Sequence, residues 1–204
     1  FLKDGSGFVW KSPKSGFAHL YLMDMQGKEQ KALTKGEFPV TAFYGINEER
    51  GELYYQAAKK NPAQRELYVY NFDSDSSRRI SKGKGHHRAN FNSTFTHYID
   101  HYGQLNRPTE HHIYQSDGTF VRTLEENRDL RQIQNAMDLP EMEFLKLKSA
   151  DADSLNGYIL KPDNMEEGRE YPMLMYVYGG PGSQKVLDKM SRYYWWFQML
   201  AQQG

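Results

Sequence analysis

The chain has 204 residues, and because 26 Lys plus Arg balance 26 Asp plus Glu, its formal net charge is zero. That balance gives no electrostatic argument for binding nucleic acid or an anionic membrane surface. The sequence contains no cysteine, which excludes disulfides and thiolate metal sites. No apolar run approaches the ~20 residues that a membrane helix needs. Aromatic residues make up 14% of the chain, which favours β structure.

The first 124 residues carry an internal repeat of predicted β-hairpins. A first strand is predicted at 7–10, and three later segments each show a strand, a polar turn and a second strand, at 19–34, 66–81 and 112–124. Their aligned first-strand aliphatic residues are 47 and 46 positions apart, and their second-strand ones 47 and 44 apart (Leu20, Leu67 and Ile113; Leu33, Ile80 and Leu124). Further strand-like runs lie between the hairpins, at 40–44, 53–57 and 91–99.

About four short strands every ~40–50 residues are typical of β-propeller blades. A β-sandwich with coincidental spacing is the alternative, but two independent sets of aligned positions favour the propeller. A propeller closes with ~4–8 blades, and fewer than three complete ones can be counted in this sequence. We therefore expect the chain to be a fragment of a larger protein.

The pattern changes after residue 124. Apolar residues at helical spacing predict a helix over 130–137, with Asp129 as its N-cap and Pro140 as its stop. Two strands are predicted next, at 143–148 and 155–160.

The run 173–178 is short, continuous and apolar, and a glycine-rich turn follows it. This pattern predicts a strand that is buried on both faces of a sheet. Tyr178 would then lie at the carboxyl end of that strand, where α/β sheets usually place functional groups. A strand, a glycine turn and an aromatic residue are also a common structural combination. The bulky stretch 186–203 could form a helix packed on the same sheet.

The string Val-Tyr-Gly-Gly-Pro-Gly-Ser-Gln-Lys at 177–185 resembles the first oxyanion segment of the prolyl oligopeptidase family of serine peptidases, and most of all its dipeptidyl peptidase IV branch. Residues 134–140 resemble the linker before the hydrolase domain of that branch, whereas 4–124 agree only in blade rhythm and scattered positions. The resemblance implies that the hydroxyl of Tyr178 helps to stabilise the tetrahedral intermediate. A neutral phenol, with a pKa of ~10 in peptides, is a hydrogen-bond donor suited to that role.

The resemblance also implies a mixed fold, in which the C-terminal blades of an antiparallel β-propeller precede the first strands of an α/β-hydrolase domain. We predict a partial propeller at 1–127, a linker helix at 128–140 and the N-terminal part of the peptidase domain at 141–204.

The activity implied by the resemblance is that of a serine exopeptidase acting through an acyl-enzyme. It would release X-Pro or X-Ala dipeptides from short peptides with a free amino terminus, without a cofactor, a metal or nucleic acid. An extracytoplasmic location is expected, and the full protein could be a homodimer. Two alternatives stay open: a related enzyme that removes tripeptides, and a propeller protein that has lost its catalytic triad and binds other proteins.

A serine hydrolase of this fold needs a G-x-S-x-G nucleophile motif followed by Asp and His. No serine in these 204 residues has glycine at both −2 and +2, and Ser183 has Pro181 and Lys185 at those positions. The acidic pairs at 48–49, 125–126 and 166–167 lie in polar turns and lack the aromatic context of the glutamates with which the family binds the substrate amino terminus. We therefore expect this chain to be inactive by itself.

Histidines are the remaining candidate ligands. The doublets 86–87 and 111–112 fall on predicted strands, where neighbouring side chains point to opposite faces and cannot easily chelate one ion. His97 and His101 have a spacing that suits a metal only on a helix. A solely structural role is the favoured interpretation.

Overall fold

A computed structural model describes residues 1–178, 180 and 182–204. The described residues form mostly antiparallel sheets with few helices. They group into two compact units, one made of 1–102 with 110–125 and the other of 103–109 with 126–204.

The strands up to residue 125 form three sheets, and within each sheet the strands follow one another in chain order. The first sheet contains β1 (Gly7–Ser12), β2 (His19–Asp24) and β3 (Glu29–Ala32). The second contains β4 (Val40–Asn47), β5 (Glu52–Ala57), β6 (Glu66–Asn71) and β7 (Ser76–Arg79), and a single 3₁₀ turn at Glu48–Arg50 joins its first two strands. The third contains β8 (His86–Phe91), β9 (His97–Gln104), β10 (Arg107–Gln115) and β11 (Phe120–Glu125).

This succession of meander sheets is consistent with a fragment of propeller blades. The three predicted hairpins are confirmed as the pairs β2–β3, β6–β7 and β10–β11. The predicted run at 91–99 is wrong in its middle, because residues 92–96 form the turn between β8 and β9. The Asn92 side-chain oxygen accepts hydrogen bonds from the backbone N–H groups of Thr96 and His97 at 2.9 and 3.1 Å, and so closes that turn.

Two apolar cores join successive sheets of this unit. The first and second sheets share a core of eight buried residues: Leu20, Leu33, Val40, Leu53, Tyr55, Ala57, Tyr68 and Tyr70. The second and third sheets share another: Tyr54, Leu67, Val69, Ile80, Ala89, Tyr98 and Tyr114. The repeated aliphatic positions of the first two hairpins therefore pack between sheets, whereas Leu124 of the third hairpin is 42% exposed.

The remaining elements are α1 (Arg128–Ala136), β12 (Glu143–Lys148), β13 (Ser154–Ile159) and α2 (Tyr194–Gln203), and β12 pairs antiparallel with β13. The N-cap prediction at Asp129 is wrong. Asn127 occupies that position, and its carbonyl accepts the first helical hydrogen bond from the Arg131 N–H at 3.0 Å. The helix α2 covers only the second half of the predicted stretch. No described helix is long and apolar enough to cross a membrane.

A small core holds this second unit together. Leu105, Met142 and Tyr194 are buried at its centre, and Tyr158 and Phe197 pack against them. The prediction of a strand buried on both faces at 173–178 is wrong, because the segment pairs with no strand among the described residues and its residues are exposed, Met173 by 77% and Val177 by 72%. Burial on both faces requires neighbouring strands and covering layers, which the described part of this unit does not supply.

Candidate functional site

The segment that leads to Tyr178 is anchored through aromatic contacts. The ring of Tyr176 meets the rings of Tyr193 and Phe197, at the start of α2, with centroid distances of 5.8 and 6.1 Å. Tyr193 and Phe197 also contact each other at 6.1 Å. This three-ring cluster fixes the chain two residues before Tyr178.

Tyr178 itself presents an exposed phenol, with 56% of the residue accessible to solvent. Gly180 lies directly against its ring, since a Cβ atom added there would come within 2.7 Å of the Tyr178 Cε1 and 3.0 Å of the hydroxyl oxygen. Any larger residue at 180 would therefore push the phenol aside. The predicted turn residues Gly179 and Pro181 lie outside the described residues.

Lys185 completes the surroundings of this phenol. Its ammonium nitrogen lies 4.9 Å from the Tyr178 ring centroid and 5.8 Å from that of Tyr176. A cation at this distance from an aromatic face is attracted by the ring quadrupole. The site thus brings together an exposed hydrogen-bond donor, a close glycine and a positive charge. Together, the hydrogen-bond donor and the positive charge can stabilise negative charge that develops on a bound molecule.

Hydrogen bonds in the core of the same unit support α2. The Gln134 side-chain amide donates to the Asn106 carbonyl and to the Tyr194 hydroxyl, at 2.8 and 2.7 Å. Asp188 accepts from the Leu105 backbone N–H at 3.1 Å, and Gln198 donates to the Pro140 carbonyl at 2.7 Å. Tyr194 is the first residue of α2. These hydrogen bonds therefore hold in place the N-terminal part of α2, which contributes Phe197 to the aromatic cluster.

The histidines that the sequence offers as candidate ligands lie apart from Tyr178 in the chain, on the third sheet. His87 and Asp100 form a buried pair, with Nδ1 and Oδ2 2.7 Å apart. His101 faces His111, with their Nδ1 atoms 2.8 Å apart, and His112 contacts Glu110 at 3.1 Å. The doublet 111–112 thus divides its side chains between different partners. No group of three or more His, Cys, Asp or Glu that could hold a metal ion occurs among the described residues.

Sequence reasoning did not identify Lys185 as a neighbour of Tyr178. The two residues are seven positions apart in a stretch that contains glycine and proline, where the sequence predicts no helix or strand that would place them together. The available signal was the glycine-rich turn between them, which allows the chain to fold back.

Comparison with known proteins identifies the family. The model of the dipeptidyl peptidase IV (DPP IV) N-terminal region matches residues 1–109. Over 182 residues the chain is 29% identical to dipeptidyl peptidase 4 of Trichophyton equinum and 30% identical to that of Arthroderma otae, and in each case the match covers 88% of this chain. The chain spans about a quarter of these relatives, 24% of their length.

Solved structures agree with this assignment. The chain is similar over its whole length to the crystal structure of Porphyromonas gingivalis dipeptidyl peptidase 4, with a TM-score of 0.91, 35% identity and coverage of 28% of that chain. A putative dipeptidyl aminopeptidase IV from Bacteroides ovatus shares the fold, with a TM-score of 0.80, 21% identity and coverage of 98% of this chain and 31% of that one. The chain belongs to the dipeptidyl peptidase IV family.

Proposed function

We propose that the full protein containing this chain is a serine exopeptidase that releases X-Pro or X-Ala dipeptides from the free amino terminus of short peptides. The observation that carries the proposal is the exposed phenol of Tyr178, bordered by Gly180 and by the Lys185 ammonium. Membership of the dipeptidyl peptidase IV family supports the peptidase class.

The chemical role of Tyr178 follows from its proton. When a serine Oγ attacks the scissile carbonyl, the carbonyl oxygen gains a negative charge and a histidine accepts the serine proton. The Tyr178 O–H donates a hydrogen bond to that oxygen and keeps its own proton. The negative charge on this oxygen is lost when the C–N bond breaks and the acyl-enzyme forms. The amine then leaves with the proton that the histidine accepted from the serine. The serine, histidine and aspartate come from other parts of the full protein.

The two units take different parts in this proposal. The first supplies blades of a propeller that limits access to short peptides. The second is the start of an α/β-hydrolase domain, in which Tyr178 faces the catalytic serine. Release of tripeptides by a related enzyme would use the same donor and differ in the pocket that holds the substrate amino terminus.

The first test is Tyr178→Phe in the full-length protein. The change removes only the hydroxyl, so we expect kcat to fall by roughly 10²–10³ with KM much less affected, as for the loss of one oxyanion donor. Hydrolysis of X-Pro p-nitroanilides measures both constants. Tyr171→Phe is the matched control, because the Tyr171 hydroxyl accepts the Glu166 backbone N–H at 2.9 Å and has a local structural contact instead.

An unchanged kcat in Tyr178→Phe would remove Tyr178 from the mechanism. If the full-length protein neither hydrolyses X-Pro or X-Ala substrates nor reacts with a fluorophosphonate, the peptidase proposal fails and the protein-binding alternative takes its place.

A further inference from the structure

One charged side chain near Tyr178 has no role in the mechanism above. Lys185 is half-buried, and its ammonium lies 4.9 Å from the ring centroid of Tyr178 and 5.8 Å from that of Tyr176. The two tyrosines are two positions apart, and one ammonium contacts both rings.

The two contacted rings differ in how firmly they are held. Tyr176 packs on Tyr193 and Phe197 and is tied to α2. Tyr178 is more than half exposed. The Lys185 ammonium therefore links the exposed ring to the anchored one.

We infer that Lys185 is a positioning residue for the oxyanion donor, an inference that rests on the proposed function. Its ammonium holds the Tyr178 ring in one orientation through a cation–π contact, so that the hydroxyl already points to where charge will develop. A donor that is fixed in advance needs no reorganisation during the reaction.

The test compares variants of the full-length protein with an X-Pro p-nitroanilide substrate. In Lys185→Met we expect kcat to fall about tenfold with little change in KM, the size of effect that an ordinary cation–π contact would have. Lys185→Arg should keep most of the activity, because a guanidinium also stacks on aromatic faces. Lys189→Met is the matched control, since Lys189 is an exposed lysine four positions further along.

A double-mutant cycle separates positioning from a general structural effect. If Lys185 acts through the Tyr178 hydroxyl, Lys185→Met should cause no further loss of kcat in a Tyr178→Phe background. Thermal unfolding of each variant checks that the fold is intact. If Lys185→Met does not fold, Lys185→Gln gives the same comparison with a shorter, neutral and polar side chain.

The outcomes distinguish this inference from the proposed function. A low kcat in Tyr178→Phe together with wild-type kcat in Lys185→Met overturns the inference alone. The same tenfold loss in both backgrounds also overturns it, because Lys185 would then act independently of the hydroxyl. An inactive wild type, or full activity in Tyr178→Phe, overturns the proposed function and the inference with it.

Discussion

His101 shows how the surroundings of a single side chain can make the stability of this protein depend on pH. Burial lowers the pKa of His101, and the positive charge of Arg88 and the neighbouring His111 lower it further, while Asp100 opposes them. The Nδ1 atoms of His101 and His111 are 2.8 Å apart, so one ring must donate and the other accept. The His101 Nε2 is buried without a hydrogen-bond partner among the described residues. Burial, Arg88 and His111 therefore favour the neutral His101 ring, and Asp100 favours the charged one.

We predict that His101 destabilises the protein in mild acid. Because its pKa is lower in the folded state, the unfolded chain binds the proton more readily, and stability falls as pH decreases below the ordinary histidine pKa of ~6.5. In His101→Asn the decrease in Tm between pH 7 and pH 5 should be smaller than in the wild type. His97→Asn, at an exposed position on the same strand, is the control. Identical pH dependence in wild type and His101→Asn would contradict the prediction.

Lys59 lies among three aromatic rings. Two of them belong to strands of the second sheet, and the third belongs to the loop before that sheet. The Lys59 ammonium, just after β5, lies 4.1 Å from the ring centroid of Tyr68, 5.0 Å from that of Phe38 and 5.4 Å from that of Tyr55. Burial lowers the pKa of Lys59, and the nearby Glu66 carboxylate partly offsets this effect. The same environment raises the pKa of Tyr55 to about 12, chiefly through burial. The attraction of the rings for the cation therefore acts against a desolvation cost.

We predict that Lys59→Gln lowers the free energy of unfolding by about 1 kcal/mol, because a cation–π contact is worth about 0.5–2 kcal/mol and desolvation of the ammonium offsets part of it. Denaturant titration of the 204-residue chain measures the change. The matched control is Lys60→Gln, at the exposed neighbouring position, which should unfold like the wild type. A Lys59→Gln variant as stable as the wild type would mean that the desolvation cost cancels the attraction.

The sequence predicts correctly the elements whose structure depends on the residues within the element itself. The hairpins β2–β3, β6–β7 and β10–β11 follow from alternating apolar residues on either side of a polar turn. The sequence did not predict the turn at 92–96, because several of its residues favour strands. The Asn92 side-chain oxygen nevertheless closes a turn there by accepting hydrogen bonds from two backbone N–H groups. The run 173–178 was mispredicted because burial of a strand depends on distant parts of a sheet and not on its own residues. Likewise the contact between Lys185 and Tyr178 depends on the path of the turn between them.

At the scale of the whole molecule, the proposed function assigns packing to the first unit and chemistry to the second. The three sheets of the first unit are joined by two aromatic-rich cores, whereas Tyr178 lies in the second unit on a segment with exposed neighbours. The described residues of that segment offer a hydrogen-bond donor and a positive charge, and its serine, Ser183, lies outside a G-x-S-x-G motif. An oxyanion donor accelerates acyl transfer only when a nucleophile attacks the same carbonyl, because it stabilises charge that the attack creates.

We therefore predict that the 204-residue chain alone does not hydrolyse X-Pro p-nitroanilides above the rate in buffer and does not react with a fluorophosphonate, whereas under the proposed function the full-length protein should do both. No serine of this sequence lies in a G-x-S-x-G motif, so none is placed at the sharp strand-to-helix turn that exposes a nucleophile in this class of hydrolase. Ser183→Ala in the isolated chain is the decisive control, since Ser183 lies five positions after Tyr178. Hydrolysis by the isolated chain that disappears in Ser183→Ala would identify Ser183 as a nucleophile and would contradict the assignment of the triad to other parts of the protein.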